Sequence, residues 1–280
     1  MDAELLQQIS QLAKPAERVQ RANQLMADYQ AAITEISRLR REALEELIAL
    51  GRTQTDIAAE LGMTRARVGQ LLSSGPPPER LFFGAGAITV ALGGKREADS
   101  RGPGRVLAQE DVEAYDHLRE LAKGFSLDIT YETVEPPGFL NLNRDNLIVI
   151  CGPRLSPLLA QVLESDCSLG FENDDRGWYL VDRVTQETYR SPMDAGQHRD
   201  YAYLGRLPRL DGRGNFLYIA GIHAMGAPCV IHYLENHLTE LYSEVKTRRF
   251  STIISGDFDA ETLDVSSSSR LTPIYRPESG

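Results

Sequence analysis

The chain has 280 residues, of which 42% are hydrophobic and 25% charged, with a formal net charge of -10. That length exceeds a typical single domain and predicts two units, the larger with ample chain for a buried core. The acidity argues against a nucleic-acid partner for the chain as a whole, because phosphate contacts need Lys and Arg. It is unevenly spread, however: residues 1–80 hold 10 basic and 11 acidic side chains, against 20 and 29 in residues 81–280.

In chain order, Leu5, Leu6, Ile9 and Leu12 recur at helical spacing until Lys14-Pro15, where a proline suits the first turn of a new helix. From Ala16 to Leu50 there is neither Gly nor Pro, and two seven-residue series run through the segment. One is Val19, Met26, Ile33, Arg40 and Leu47, the other Ala22, Tyr29, Ile36, Ala43 and Leu50. This is a heptad seam with one polar break, Arg40, and it predicts a coiled-coil homodimer. Gly51 then ends the helix.

Residues 51–72 meet the demands of two short helices crossing at a fixed angle. Ala58 permits close approach, Gly62 supplies the turn, and Ile57, Leu61, Val68 and Leu71 are the expected anchors. Thr53 or Thr55 is placed to cap the first helix and Thr64 the second. Thr64, Arg65, Ala66 and Gln70 then lie on the outward side of the second helix with Arg67 at its flank. Arg and Gln suit bidentate readout of guanine and adenine in a major groove. The segment resembles the helix-turn-helix of sigma factor region 4 and of one-component bacterial regulators. That resemblance implies binding to duplex DNA through Thr53, Thr64, Arg65, Ala66, Arg67 and Gln70, while nothing before the segment resembles a region engaging a promoter -10 element.

Ser73-Ser74 and Gly75-Pro76-Pro77-Pro78 continue neither helix nor strand, so domains are expected at 1–74 and 81–280 with a linker at 75–80. Beyond it, short apolar runs at 88–92, 128–131, 147–150, 216–220 and 251–254 alternate with amphipathic helices at 110–123, 157–164 and 227–245. The pattern predicts a Rossmann-like α/β domain whose sheet is mainly parallel and covered on both faces. Residues 170–190 alternate around Asp174-Asp175-Arg176-Gly177 and read as an inserted antiparallel hairpin. The tail, with Ser266 to Ser269 in a row, reads as irregular, ending in an edge strand at 271–275.

Four of these strands run into glycine, at Gly93-Gly94, Gly152, Gly221 and Gly256. In open α/β sheets ligands sit beyond the carboxyl ends of the strands, where glycine lets a ligand approach the backbone. The expected pocket uses Gly93, Gly94, Lys95, Gly152, Arg154, Ser156, Gly221, His223 and Gly226, and its basic residues suit a small anionic or nucleotide-like ligand. The loop from Gly221 to Pro228 echoes a phosphate cradle but lacks the Lys and Ser/Thr of a P-loop.

No metal signature, nucleophile elbow or catalytic residue emerges. His232 and His237 are five apart on one helix, and Cys151, Cys167 and Cys229 have no C-x-x-C spacing. With no basic segment leading into an apolar one and no run of 18 apolar residues, the chain reads as cytoplasmic and without a membrane span. The leading expectation is a DNA-binding transcriptional regulator with a ligand-sensing α/β domain. The alternatives are a DNA-tethered nucleotide- or NAD-processing enzyme of N-glycosidase type and a protein-interaction adaptor without a ligand.

Overall fold

The computed structural model describes residues 3–73, 77–96, 104–135 and 139–277. The chain divides into two compact units, residues 1–78 and 79–280. Residues 74–76, part of the linker expected at 75–80 and its approach, lie outside the described residues.

In the first unit α1 (Ala3–Ser10) packs on α2 (Pro15–Ala49), an unbroken helix with Pro15 in its first turn. Thirty-five residues at 1.5 Å each span about 52 Å. Two short helices follow, α3 (Gln54–Glu60) and α4 (Arg65–Ser73). With the last turns of α2 they enclose a core of Leu44, Ile57, Ala58, Val68 and Leu71, edged by Leu47, Met63 and Leu72. Leu61, one of the expected anchors, is 47% exposed. It sits at the carboxyl end of α3, and Leu44 from α2 fills the core that two helices alone would leave open.

Most of the apolar seam on α2 is uncovered. Val19, Met26, Ile33 and Ile36 are 59%, 70%, 56% and 62% exposed, with Tyr29 and Leu39 beside them. Among its described side chains, the helix fully buries an apolar one near its carboxyl end, Leu44, with Leu47 partly buried beside it.

The second unit is a mixed α/β fold. After α5 (Arg80–Phe83) come β1 (Ile88–Gly93), the small ribbon β2 (Lys95–Arg96) with β3 (Arg105–Val106), α6 (Gln109–Gly124), β4 (Ile129–Val134) and β5 (Leu147–Ile150). Then follow α7 (Pro157–Leu163), β6 (Leu169–Asp174), β7 (Gly177–Asp182), β8 (Glu187–Tyr189), β9 (Arg199–Pro208) and β10 (Asn215–Gly221). The unit ends with α8 (Gly226–Val245), β11 (Phe250–Phe258) and β12 (Val265–Arg270).

The main sheet runs β12-β11-β9-β10-β5-β1-β4. Strands β4, β1, β5 and β10 pair in parallel, whereas β9, β11 and β12 are joined antiparallel, so the expectation of a mainly parallel sheet holds for only one half. The inserted antiparallel element is present as a three-stranded sheet, β6-β7-β8.

Two strands of the main sheet escaped the sequence pattern, as did the short ribbon β2-β3. Strand β9 lies deep in the sheet yet carries Asp200 and Arg206, both almost fully buried, and these charges hide its apolar alternation. Strand β12 contains the serine run read as irregular; as an edge strand it needs backbone pairing with β11 more than a buried face. The edge strand expected at 271–275 is reduced to an isolated bridge between Tyr275 and Ser251 and a single bond from the Leu271 amide to the Ile253 carbonyl.

Both faces of the sheet are covered. Val90, Leu92, Ile148, Ile150, Leu204 and Ile219 pack under α6 and α8, while Ala91, Val149, Tyr203, Tyr218 and Ala220 pack against α7 and the small sheet. This is why β5 is apolar throughout and β1 and β10 carry apolar side chains in a run rather than in alternation, apart from Thr89 and Asn215.

Candidate functional site

Helices α3 and α4 are each started by a local cap, with a tight turn between them. Thr53 Oγ1 accepts the Asp56 amide at 3.2 Å while Asp56 Oδ2 accepts the Thr53 amide at 3.0 Å, a reciprocal capping box that also holds the Asp56 carboxyl below its usual range. Gly62 turns the chain with φ +63°, and Thr64 Oγ1 accepts the Arg67 amide at 3.1 Å to start α4. Val68 and Leu71 then point into the core, which leaves Thr64, Arg65, Ala66, Arg67 and Gln70 exposed on one side.

Two of these side chains are organised together: Arg67 Nη1 donates to Gln70 Oε1 at 2.7 Å, which fixes the amide and leaves its NH2 free to donate. Arg65 has no partner among the described residues. The hydroxyl of Thr53 is spent within the capping box, since it also donates to Asp56 Oδ2 at 2.6 Å. Thr53 therefore orients α3 rather than offering a free side chain.

In the second unit the carboxyl ends of β1, β5 and β10 frame a crevice lined by Lys95, Asp111, Gly152, Arg154, Gly221 and His223, with Cys151 in its wall. Five of the nine residues expected from sequence thus meet there. The space is about 30 Å³, room for a water or two and far less than a nucleoside needs.

The other four do not line it. Ser156 is fully buried, and its oxygen accepts the Leu159 amide as the cap of α7. At Gly93 a Cβ would stand 2.7 Å from Cys151 Sγ, and at Gly94 2.9 Å from Thr133 Cγ2, so both glycines serve internal packing. Gly221 and Gly226 press on each other across the turn, where a Cβ on Gly226 would lie 2.4 Å from Gly221 Cα.

In that turn, three amides are already engaged within the protein: His223 N donates to Asp200 Oδ2 at 3.1 Å, Gly226 N to the His223 carbonyl and Ala227 N to the Ala224 carbonyl. Asp200, fully buried, also accepts Ser191 Oγ at 2.6 Å and the Tyr201 amide at 2.8 Å. Burial raises its pKa, which those donors oppose. The His223 ring meets Asp194 Oδ1 through Nε2 at 2.8 Å and is thereby oriented.

Asp111 was missed from sequence. It reads as one of several acids in the first turn of α6, and only the fold, which brings that helix end beside Lys95, Gly152 and Arg154, makes it a crevice residue. Burial pushes its carboxyl up to about 7, against the opposing charges of Lys95 and Arg154. The crevice thus couples two cations to a carboxyl that gains a proton near neutrality, a combination able to accept an anion. Cys151 is no nucleophile here: burial, aided by the nearby Asp111 charge, pushes its thiol up to about 12.

His232 and His237 have separate roles, the first meeting Ser268 Oγ at 2.8 Å and the second stacking on Tyr233. Among the described residues no helix is long and apolar enough to cross a membrane. Comparison of the chain with protein families, with curated proteins and with solved structures gives no match.

Proposed function

We propose that the chain is a DNA-binding transcriptional regulator that acts as a homodimer and whose α/β unit senses a small anionic ligand. The observation that carries this reading is the outward side of α4, where Arg65, Arg67 and Gln70 stand exposed on a helix whose opposite side is locked into a three-helix core. Arg67 and Gln70 are already hydrogen-bonded to each other, so part of the ordering cost of base contact is met before DNA arrives. The near-neutral charge of the first 80 residues is compatible with a phosphate backbone. The exposed seam on α2 supports pairing with a second copy. The size of the crevice around Lys95 and Arg154 favours a small anion over a nucleotide-like ligand.

Selection from a random duplex library tests the reading. Wild-type protein is expected to enrich paired half-sites and to lose affinity steeply between 50 and 200 mM salt, roughly as log affinity against log salt with one unit of slope per phosphate contact. Arg65→Ala is expected to lose sequence preference while keeping its fold. The same enriched site for Arg65→Ala, or binding indifferent to salt, rejects DNA readout by α4.

A second reading, a nucleotide- or NAD-processing enzyme, draws on one observation, the Asp111 carboxyl poised near 7 inside the crevice. Turnover of NAD or a nucleotide by the full chain, abolished in Asp111→Asn, would favour it.

A further inference from the structure

The second unit holds a larger cavity than the crevice at the carboxyl ends of the parallel strands. A space of about 520 Å³ opens at the other end of the sheet, where β9 finishes and β11 begins. Its wall includes Arg206, Arg249 and Arg276, with Asp166, Cys167 and Tyr275. That volume lies within the range of small-molecule sites.

The charge in this wall is unbalanced. Arg206 is nine-tenths buried and donates to the carbonyls of Phe82, Lys246 and Arg248 at 2.8 to 3.0 Å, between the rings of Phe82 and Phe250. Among the described residues no carboxylate pairs with it, and burial pulls its guanidinium down to about 10. Arg249 has a buried Nε without a hydrogen-bond partner. Arg276 uses one nitrogen on the Glu244 carbonyl. The acid in the wall, Asp166, is occupied: it accepts Tyr203 Oη at 2.8 Å and the amides of Ser168 and Leu169. A buried cation without a counter-charge and a buried donor without an acceptor are both costly, and one anionic ligand relieves both.

We infer that this cavity is a second anion site, built for a small molecule carrying a chain of phosphoryl groups. Arg206 supplies a fixed positive field, Arg249 and Arg276 the direct donors, and Ser165 and Ser168 hydroxyls at the wall for further phosphoryl oxygens. The assignment is independent of the crevice and of DNA binding, since it uses neither set of residues.

Cys167 provides the readout, because it lines the cavity and is exposed while Cys151 and Cys229 are buried. The full-length protein is alkylated with N-ethylmaleimide, a neutral reagent, in increasing inorganic tripolyphosphate, with sodium chloride of equal ionic strength as reference. Cys167 modification is expected to slow saturably with tripolyphosphate. Arg249→Gln and Arg276→Gln are each expected to weaken that protection about tenfold, as loss of a charged hydrogen bond does. Arg154→Gln, in the crevice, should leave it unchanged. Arg276 is exposed, so its variant keeps the test open if Arg249→Gln fails to fold. Absence of saturable protection, protection as strong in both arginine variants as in the wild type, or protection by citrate but not by tripolyphosphate overturns the inference.

Discussion

Asp111 shows how one buried carboxyl sets a pH dependence. Its folded pKa of about 7 lies above the unfolded value of about 3.9, so the folded state holds this proton more tightly. The associated stability is present in full below about pH 4 and is lost as pH rises through 7. Asp111→Asn, which cannot ionise, should therefore match the wild type in urea denaturation at pH 4 and exceed it by up to about 4 kcal/mol at pH 8. A variant no more stable than wild type at pH 8 would show that Lys95 and Arg154 already neutralise the carboxylate. The cysteines respond to burial too: Cys151 and Cys229 are pushed up to about 12, so the native protein should react at one thiol, Cys167, and the denatured protein at three. Mass spectrometry after brief alkylation counts them.

At the scale of elements, the helix-turn-helix rests on a few local devices with separable costs. Ile57 is completely buried in a core of five side chains, and Ile57→Ala should remove about 2–4 kcal/mol, enough to melt α3 and α4 in a small module. Gly62 occupies the left-handed region with open space around it, so Gly62→Ala costs only the backbone strain, about 1 kcal/mol. Thr53→Ala removes a complete capping box at a similar cost. Thermal denaturation of the three variants should rank Ile57→Ala well below the other two; a Gly62→Ala variant as unstable as Ile57→Ala would mean that the turn is packed more tightly than it looks. The turn at Gly221 is the contrasting case. A Cβ there would stand 2.1 Å from the His223 carbonyl, so the strand-to-helix connection holding His223 has no room for alanine.

For the whole molecule, the question is what covers the seam on α2. Val19, Met26, Tyr29, Ile33 and Ile36 recur at intervals of seven, three and four along a single line, and such a stripe left in water loses the burial that drives coiled-coil pairing. Association with a second copy predicts a dimer by sedimentation, and Ile33→Glu, on the exposed stripe, should give a folded monomer with unchanged helix content by circular dichroism. Wild-type protein sedimenting as a monomer at micromolar concentration counts against the homodimer. Arg40 interrupts the stripe, so Arg40→Leu is expected to tighten association.

What the sequence determined by itself is whatever is encoded at short range. Helix α2 follows from a run without Gly or Pro, α3 and α4 from their caps and Gly62, and β1, β5 and β10 from continuous apolar runs, because each signal acts within a few residues of itself. Only the tertiary structure decided the rest. Strand β9 enters the centre of the sheet despite Asp200 and Arg206 because Ser191, the Tyr201 and His223 amides, and the carbonyls of Phe82, Lys246 and Arg248 meet those charges. These partners come from distant segments as well as neighbouring ones. Asp111 becomes a crevice group, and three arginines become a cavity wall, for the same reason: burial and charge balance depend on which segments meet, and sequence spacing does not record that.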